Sequence, residues 1–547
     1  MRASDRAAIA LILLLLGWIP VPSVQASQLA QSGTGWTDVA PGVQYQEFLL
    51  PGPVRAYVAR MEIVDSAPSD GITNTLETAL GRGVLGGLET VRGMAARYDD
   101  AISFWGQTWG NRSNILIAVN GSYFGGSDTP ENGMVQSGWY AKRFTDLGGG
   151  SGLAWTLNRQ VFIGDCIYHQ PAKQVIRIED SQGVIRWDGT FTGTNISRGN
   201  DDLVLYTPQF GTRTPTRTDG AEIVLQLNRP LLIIPSSAAS VVGTVTAIRD
   251  RQGATLIPFD AIVLSAGENR RGALLDQLEI GFTVRINQEI TSLSRDCTTA
   301  PSLPWTKTYA SLGAAFHLLD KGVAFVPAQD TTRAPRTAIA HDSEYIYLIV
   351  VDGRQPDFSI GMTFQELADF IRNNLGIQDA VAQDGGGSST MVVRGNVVNR
   401  PSDICNFLFL PMVITTGNQT ITKPMPAMEE NFEPPSRLQY GCERRVANAF
   451  MIAAVSPKET SSLFLPGDEI FTIQDAMLRQ GPGTNYPAFG IIGAGSFGEV
   501  LEDGNGLNGV RAKGTNWWKV NFYGTMGWVA EGTIDVLLPR FVIKIPY

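Results

Sequence analysis

Histidine is the scarcest of the chemically versatile residues here, with three in 547: His169, His317 and His341. So few make a multi-histidine metal centre or a Ser-His-Asp triad a poor expectation. Cysteine is almost as sparse. Cys166, Cys297, Cys405 and Cys442 are widely separated and contain no C-x-x-C pair, which argues against a structural zinc site. Charge is low at 17% and net negative, 43 basic against 52 acidic side chains for −9, so a broad polyanion-binding surface is disfavoured and nucleic acid is not an expected partner. A local basic pocket for one phosphate stays compatible, because only nearby charges decide a small site. Long apolar runs are missing after the N-terminus. There, Arg2 and Arg6 precede the run Ala7 to Ile19, and Val24-Gln25-Ala26 closes a small-residue stretch. This is the pattern of a secretory signal peptide cleaved after Ala26, the run being shorter than the ~20 residues that span a bilayer. The expectation is a secreted or periplasmic protein with no transmembrane anchor after cleavage. Export permits disulfides, and four cysteines allow three pairings.

What the sequence has in quantity is glycine and proline, 59 and 30, within a composition that is 43% hydrophobic. Many turns imply substantial β structure, and the length implies two to four domains. Strands are expected at Val54 to Val64, Ile115 to Val119 and Tyr345 to Val351, with a short helix at Val91 to Tyr98 and a β-rich layer from Leu203 to Ile290. Thr363 and Glu366 form a capping box for a helix whose apolar face is Phe364, Leu367, Phe370, Ile371 and Leu375, and Gly376 stops it. A strand at Asp379 to Gln383 follows, then Asp384-Gly385-Gly386-Gly387-Ser388-Ser389, then a strand at Thr390 to Arg394. Ser456 to Asp468 shifts to Pro, Ser and charge and reads as part of a linker over 456–469.

Three consecutive glycines weaken any regular element, so they need a compensating reason: positive φ, or a backbone that must approach a ligand. A ligand-cradling loop supplies both, with N–H groups, the hydroxyls of Ser388 and Ser389, and the Asp384 carboxylate at a strand end. A tight turn capped by Asp and Ser is the plainer alternative. No Lys follows the glycines, which excludes a Walker loop, and Thr390-Met391 after Ser389 excludes a G-x-S-x-G elbow.

The string Val381 to Met391 resembles the signature of the phosphodiester glycosidase family. Further landmarks of that family follow the same order: Ala118 to Phe124, Pro335 to Ile339, Val350 to Arg354, Val398 to Ser402 and Arg444 to Asn448, together covering 36–455. One departure is Ala340-His341-Asp342, where the family usually has Gly soon after the Arg-Thr-Ala-Ile stretch. Residues 470–540, with Leu478 to Tyr486, Trp517-Trp518 and Gly527-Trp528, resemble a bacterial SH3-like domain; such modules often bind cell-wall polymers, a small spacer barrel being the bland alternative. The fold class implied is α+β: a β-rich mixed-sheet catalytic domain with packed helices, followed by a small all-β SH3-like barrel.

The resemblance implies an N-acetylglucosaminidase-like hydrolase that cuts the glycosidic bond of a sugar 1-phosphodiester on an exported glycan; Asp384 and Asp352 would suit a hard cation, but no EF-hand or histidine pattern supports one, so no metal and no obligatory cofactor are expected. Its leaving group is a phosphate monoester, which already carries negative charge well, so strong acid catalysis is less necessary. The remaining tasks fall to Asp384 as the central carboxylate, Arg336 as the phosphate fork and Asp352 as a second acid or a brace. Asn120, Gly121, Thr337, Gly385, Gly386, Gly387, Ser388 and Ser389 are the expected substrate-binding residues. Cysteines in related sequences are similarly placed, which implies a Cys405–Cys442 bridge just downstream of the site and leaves Cys166 to Cys297. A non-catalytic phosphoglycan binder, gripping through the same loop, is the competing function.

Overall fold

In the computed structural model the described residues are 35–64, 71–105, 108–144, 150–169, 171–227, 241–288, 290–293, 308–405, 413–416, 419–422 and 440–537. The expected signal sequence and Cys297 lie outside them.

Apolar runs with β-branched residues become the central strands. Tyr345–Val351 is buried along nearly its whole length, and it lies between Val54–Glu62 and Arg336–His341. Asp379–Ala382 and Phe316–Asp320 extend this eight-stranded sheet on one side, Val43–Leu50 on the other. A second sheet is built around Thr108–Asn120, flanked by Met391–Val393 and by Asn448–Ser456, which in turn pairs with Thr73–Leu80. The two sheets contribute Ala59, Ile339, Leu348, Val350 and Val381, and Ile117, Val119, Met391 and Phe450, to one hydrophobic core. Burying side chains of that size stabilises the fold by about 1.5–3 kcal/mol each.

The helix Phe364–Asn374 forms as its sequence dictates. Thr363 Oγ1 accepts from Glu366 N at 3.1 Å, Glu366 Oε2 accepts from Thr363 N at 2.9 Å, and Gly376 leaves the helix at φ +76. Its buried face, Leu367, Phe370 and Ile371, is set against the first sheet, with Phe370 edge-on to Phe48 at 5.3 Å. The other expected helix, Val91–Tyr98, is also present, capped by Thr90.

The β-rich layer is a separate eight-stranded sheet that includes Leu203–Tyr206, Ala221–Leu227, Val241–Asp250, Ala261–Ala266 and Thr283–Asn287. A helix at Glu268–Leu275, not anticipated from the sequence, interrupts it; Gly267 precedes its first turn and Glu268 puts a negative charge at its N-terminus. Beyond 469 the strands from Glu469–Thr472 to Ile534–Val536 make the small all-β SH3-like unit.

That unit is docked, not tethered. Phe259 meets Tyr486 at 5.4 Å and Trp528 at 5.7 Å, Asn505 Nδ2 donates to Asp260 Oδ2 at 3.1 Å, and Lys513 Nζ donates to Ala96 O and Asp99 O at 2.8 and 2.6 Å. The intervening segment is pinned as well: Glu459 pairs with Arg112 at 3.0 Å and Ser461 N donates to Gly509 O at 2.7 Å.

Candidate active site

The glycine loop crosses from one central sheet to the other. It leaves Asp379–Ala382 in the first sheet and enters Met391–Val393 in the second, so Asp384 sits where the two sheets come together. Asp384 N donates to Gly121 O at 3.0 Å, and Asn120 Nδ2 donates to Asp384 O at 2.7 Å. Asn120 is fully buried; its Oδ1 accepts from Thr337 Oγ1 at 2.8 Å and from Thr390 N at 3.2 Å. Thr337 Oγ1 also reaches Ser389 Oγ at 3.2 Å. Asn120, Thr337 and Ser389 therefore hold the loop from its inner side, with their polar atoms committed to protein partners.

The loop's backbone corrects one expectation. Three of its N–H groups are committed to the protein and not offered to a ligand: Gly386 N donates to Pro335 O, Ser388 N to Gly385 O and Ser389 N to Gly386 O at 2.9, 3.3 and 3.2 Å. The glycines are needed because other groups press on them. A Cβ on Gly385 would lie 2.8 Å from Pro335 O, and one on Gly386, where φ is +63, would lie 3.1 Å from Arg354 Nη1. At Gly387 it would collide with the Asp403–Arg444 ion pair, and at Gly121 with Asn448 Oδ1. Gly387→Ala is expected to push that ion pair away and cost about 1–3 kcal/mol of stability, readable as a lowered Tm.

Asp384 is 8% exposed, and burial raises its pKa above the ordinary carboxylate value. The neighbouring Ser388 hydroxyl, Arg444 and Gly385 N–H pull it back down, and Glu131 pushes it up. Ser388 Oγ is buried without a geometrically formed hydrogen bond, so it is a donor held beside the carboxyl.

Arg336 opens its strand, just before Thr337, and stacks on Phe364, with Cζ 3.7 Å from the ring centroid. Nε donates to Met362 O at 2.9 Å and Nη2 to Thr332 O at 2.9 Å and Asp330 Oδ1 at 3.2 Å, which leaves Nη1 without a partner among the described residues. Arg354, exposed and at φ +59, lies over Gly386, and no described residue accepts from its guanidinium. Its positive charge helps hold the Arg336 pKa down, after the larger effect of burial. A non-glycine residue in the left-handed region is a strained choice that recurs at ligand sites.

Asp352 is placed differently. At 1% exposure its Oδ1 accepts from Asn399 Nδ2 and its Oδ2 from Arg400 N, both at 2.8 Å, with the Tyr57 hydroxyl also turned to it. Asn399 in turn donates to Ser389 O at 3.0 Å and accepts from Met391 N at 2.7 Å. Asp352 is thus a brace behind the loop. Burial pushes its pKa up to about 6.

Sequence reasoning missed four residues around Asp384. Tyr123, partly exposed, has its pKa raised by burial and then by the Asp384 charge, while Arg336 lowers it; Glu131 acts on both Tyr123 and Asp384. Arg354 and Arg444 complete the set. Tyr123, Arg354 and Arg444 lay inside the recognised motif strings, so the signal for them was available; nothing in the sequence marked Glu131.

The disulfide Cys405–Cys442 is formed, with Cα atoms 5.2 Å apart. It staples the short antiparallel pair Asp403–Ile404 and Tyr440–Cys442, which carries Asp403 to Arg444 against Gly387. Cys297, the expected partner of Cys166, is outside the described residues, as is the side chain of His169.

A β-rich body of several sheets, with an aspartate-glycine loop running between two of them and an SH3-like unit docked on it, defines an α+β protein. The phosphodiester glycosidase family matches residues 238–408 and the bacterial SH3 domain family matches 475–535. The similarity is thus to a phosphodiester glycosidase domain over 238–408 and to a bacterial SH3 domain over 475–535. The matched stretch contains Arg336, Asp352, Arg354, Asp384 and Asn399, while Asn120, Tyr123 and Arg444 fall outside it. A mouse N-acetylglucosamine-1-phosphodiester alpha-N-acetylglucosaminidase is 38% identical over 71 residues, 13% of this chain and 13% of that protein. The chain thus matches about an eighth of that relative's length. Among solved structures, a hypothetical protein from Synechocystis is similar at 16% identity and TM-score 0.41, over 76% of this chain and 62% of that one. The zebrafish N-acetylglucosamine-1-phosphodiester alpha-N-acetylglucosaminidase catalytic domain, auto-inhibited by its pro-peptide, is similar at 12% identity and TM-score 0.35, over 76% of this chain and 84% of that one. Among the described residues no helix is long and apolar enough to cross a membrane.

Proposed function

We propose that this protein is an exported hydrolase that cleaves the glycosidic bond of a sugar 1-phosphodiester, releasing the sugar and leaving a phosphomonoester. The observation that carries this reading is the pair of guanidinium groups, Arg336 and Arg354, which act on each other electrostatically, have nitrogens without a partner among the described residues, and flank the loop that carries Asp384. Two cations facing one space repel each other, and a phosphate between them turns that repulsion into attraction. Asp384 then faces the anomeric carbon. The C1–O bond breaks, the phosphate oxygen departs with its negative charge against the guanidinium groups, and water supplies the new C1 hydroxyl while a carboxylate takes its proton. Glu131 is the nearby carboxylate available to share the acid and base roles with Asp384. The proposed N-acetylglucosaminidase-like specificity rests on the family match and the mouse relative's name. The Cys405–Cys442 bridge and the N-terminal apolar run support export. Contact with a wall polymer is proposed for the SH3-like unit, and a cavity of about 670 Å³ lies where that unit meets the β-rich sheet, lined by Phe489, Met526, Trp528 and Lys519 of the one and Arg249 of the other.

Purified mature protein incubated with N-acetylglucosamine 1-phosphodiesters and other sugar phosphodiesters is expected to release free sugar. Binding of these compounds without release from any of them would favour the competing phosphoglycan-binder reading. Arg354→Ala is expected to reduce kcat/KM by about 10- to 100-fold, the equivalent of one charge-assisted hydrogen bond of about 1.5–3 kcal/mol. The loss should be smaller for an aryl glycoside with no phosphate, and an equal loss on both substrates would remove Arg354 from the phosphate.

A further inference from the structure

At the far end of the strand that feeds the glycine loop, three side chains converge that the proposed chemistry does not use. His317, Asp320 and Asp379 each offer one donor atom, and these atoms all lie within 4.8 Å of one another. Their convergence follows from the sheet: His317 pairs with Val381 and Leu319 with Ala380, which sets Asp320 beside Asp379 across neighbouring strands. The His317 side chain is 6% exposed, and its ring is oriented from behind. Nδ1 is 2.8 Å from Asp165 Oδ2, and Asp165 Oδ1 accepts from Ser151 Oγ at 2.5 Å. Nε2 is buried and has no hydrogen-bond partner among the described residues.

That orphaned nitrogen is costly in either ring state. A neutral ring donating from Nδ1 to Asp165 leaves a bare lone pair at Nε2, and a protonated ring leaves a buried N–H with no acceptor. A carboxylate holding one imidazole nitrogen while the other faces two further carboxylates is the arrangement by which proteins fix a metal-binding histidine. We propose that His317 Nε2, Asp320 and Asp379 bind one divalent transition-metal ion of the zinc class. One nitrogen and two carboxylate oxygens suit Zn²⁺ better than the all-oxygen shells of Ca²⁺ and Mg²⁺, and two carboxylates neutralise its charge. Zinc bonds of about 2.0–2.2 Å put tetrahedral donors about 3.4 Å apart, so closing on the ion needs side-chain shifts of about 1 Å. The site is not part of the reaction centre: Asp379 precedes Asp384 by five residues, about 16 Å of extended chain. Its effect is to tie the edge strand Phe316–Asp320 to the start of Asp379–Ala382, and so to steady the strand that delivers the catalytic loop.

The test uses untagged mature protein, stripped with chelator and titrated with Zn²⁺ by calorimetry, with thermal unfolding followed in parallel. One Zn²⁺ per chain and a raised Tm are expected. Asp379→Asn and Asp320→Asn, which keep side-chain size, should each weaken binding at least tenfold, while Asp384→Asn binds as wild type does. With Co²⁺ in place of Zn²⁺, visible absorption bands that disappear in Asp379→Asn would report inner-sphere ligation. Equal Zn²⁺ binding by wild type and both aspartate variants would overturn the proposal. So would saturation by Ca²⁺ with no Zn²⁺ uptake.

Discussion

Asp384→Asn is expected to abolish sugar release, by about 10²- to 10⁴-fold in kcat, while the protein remains folded. The two halves of that expectation come from different atoms of one residue. The loop is held through the Asp384 main chain, N to Gly121 O and O from Asn120 Nδ2, and those bonds survive the substitution. The side chain's own neighbours are Ser388 Oγ and Gly385 N–H, and an amide of the same size can accept from both through its oxygen. What is lost is the negative charge facing the anomeric carbon and the capacity to take a proton. Burial raises the Asp384 pKa, so if the ionised form is the working one, the acid limb of the wild-type pH–rate profile lies above the ordinary carboxylate pKa. Activity then falls as the pH drops through that raised value. Sugar release within threefold of wild type, with unchanged Tm, would remove Asp384 from the chemistry.

Local grammar was legible in the sequence wherever the controlling partners are close along the chain. The Thr363–Glu366 box and Gly376 bound the Phe364–Asn374 helix because capping is a matter of three or four residues. The Tyr345–Val351 strand was legible because a continuous apolar run suits only a buried element. The three glycines were legible as a demand for close approach, but the approaching groups were not. They are Arg354 and the Asp403–Arg444 pair, which reach the loop through sheet pairing and a disulfide-stapled hairpin. Asn120 shows the same limit. Its motif was visible, yet its bond to Asp384 O spans 264 positions, and no local pattern separates a residue that grips ligand from one that grips the loop. The segment after Ser456 has the composition of a linker, but Glu459 and Ser461 are tied down by Arg112 and Gly509, partners the sequence order hides. For His317 the count of histidines argued against a multi-histidine metal centre, and only the register of two paired strands brings it and Asp320 to Asp379.

Asp352→Ala should produce the largest stability loss, about 3–5 kcal/mol, because it strands donors instead of removing an isolated acid. Asn399 Nδ2, Arg400 N and the Tyr57 hydroxyl all converge on this carboxyl in a space closed to water. Each loses its acceptor in a space closed to water, and a buried donor left unsatisfied costs about 1–3 kcal/mol. Asp352→Asn keeps the volume but turns an NH₂ toward one of those donors, so it should fall between wild type and the alanine variant. The pH dependence follows from burial, which holds the folded pKa at about 6 against 3.8 in the ordinary carboxylate. The folded protein binds this proton more tightly than the unfolded chain does. Its contribution to stability is therefore fullest below about pH 4 and is lost as the pH rises through 6, so the gap between wild type and Asp352→Ala should be wider at pH 4.5 than at pH 7.5. Thermal unfolding at those two pH values checks both the size and the sign. Sugar release should fall as well, since Asn399 is the link from Asp352 to Ser389 O and Met391 N at the end of the catalytic loop. If the alanine variant unfolds at the wild-type temperature at both pH values, Asp352 is not the brace, and the loop's position must rest on Asn120 and Thr337 alone.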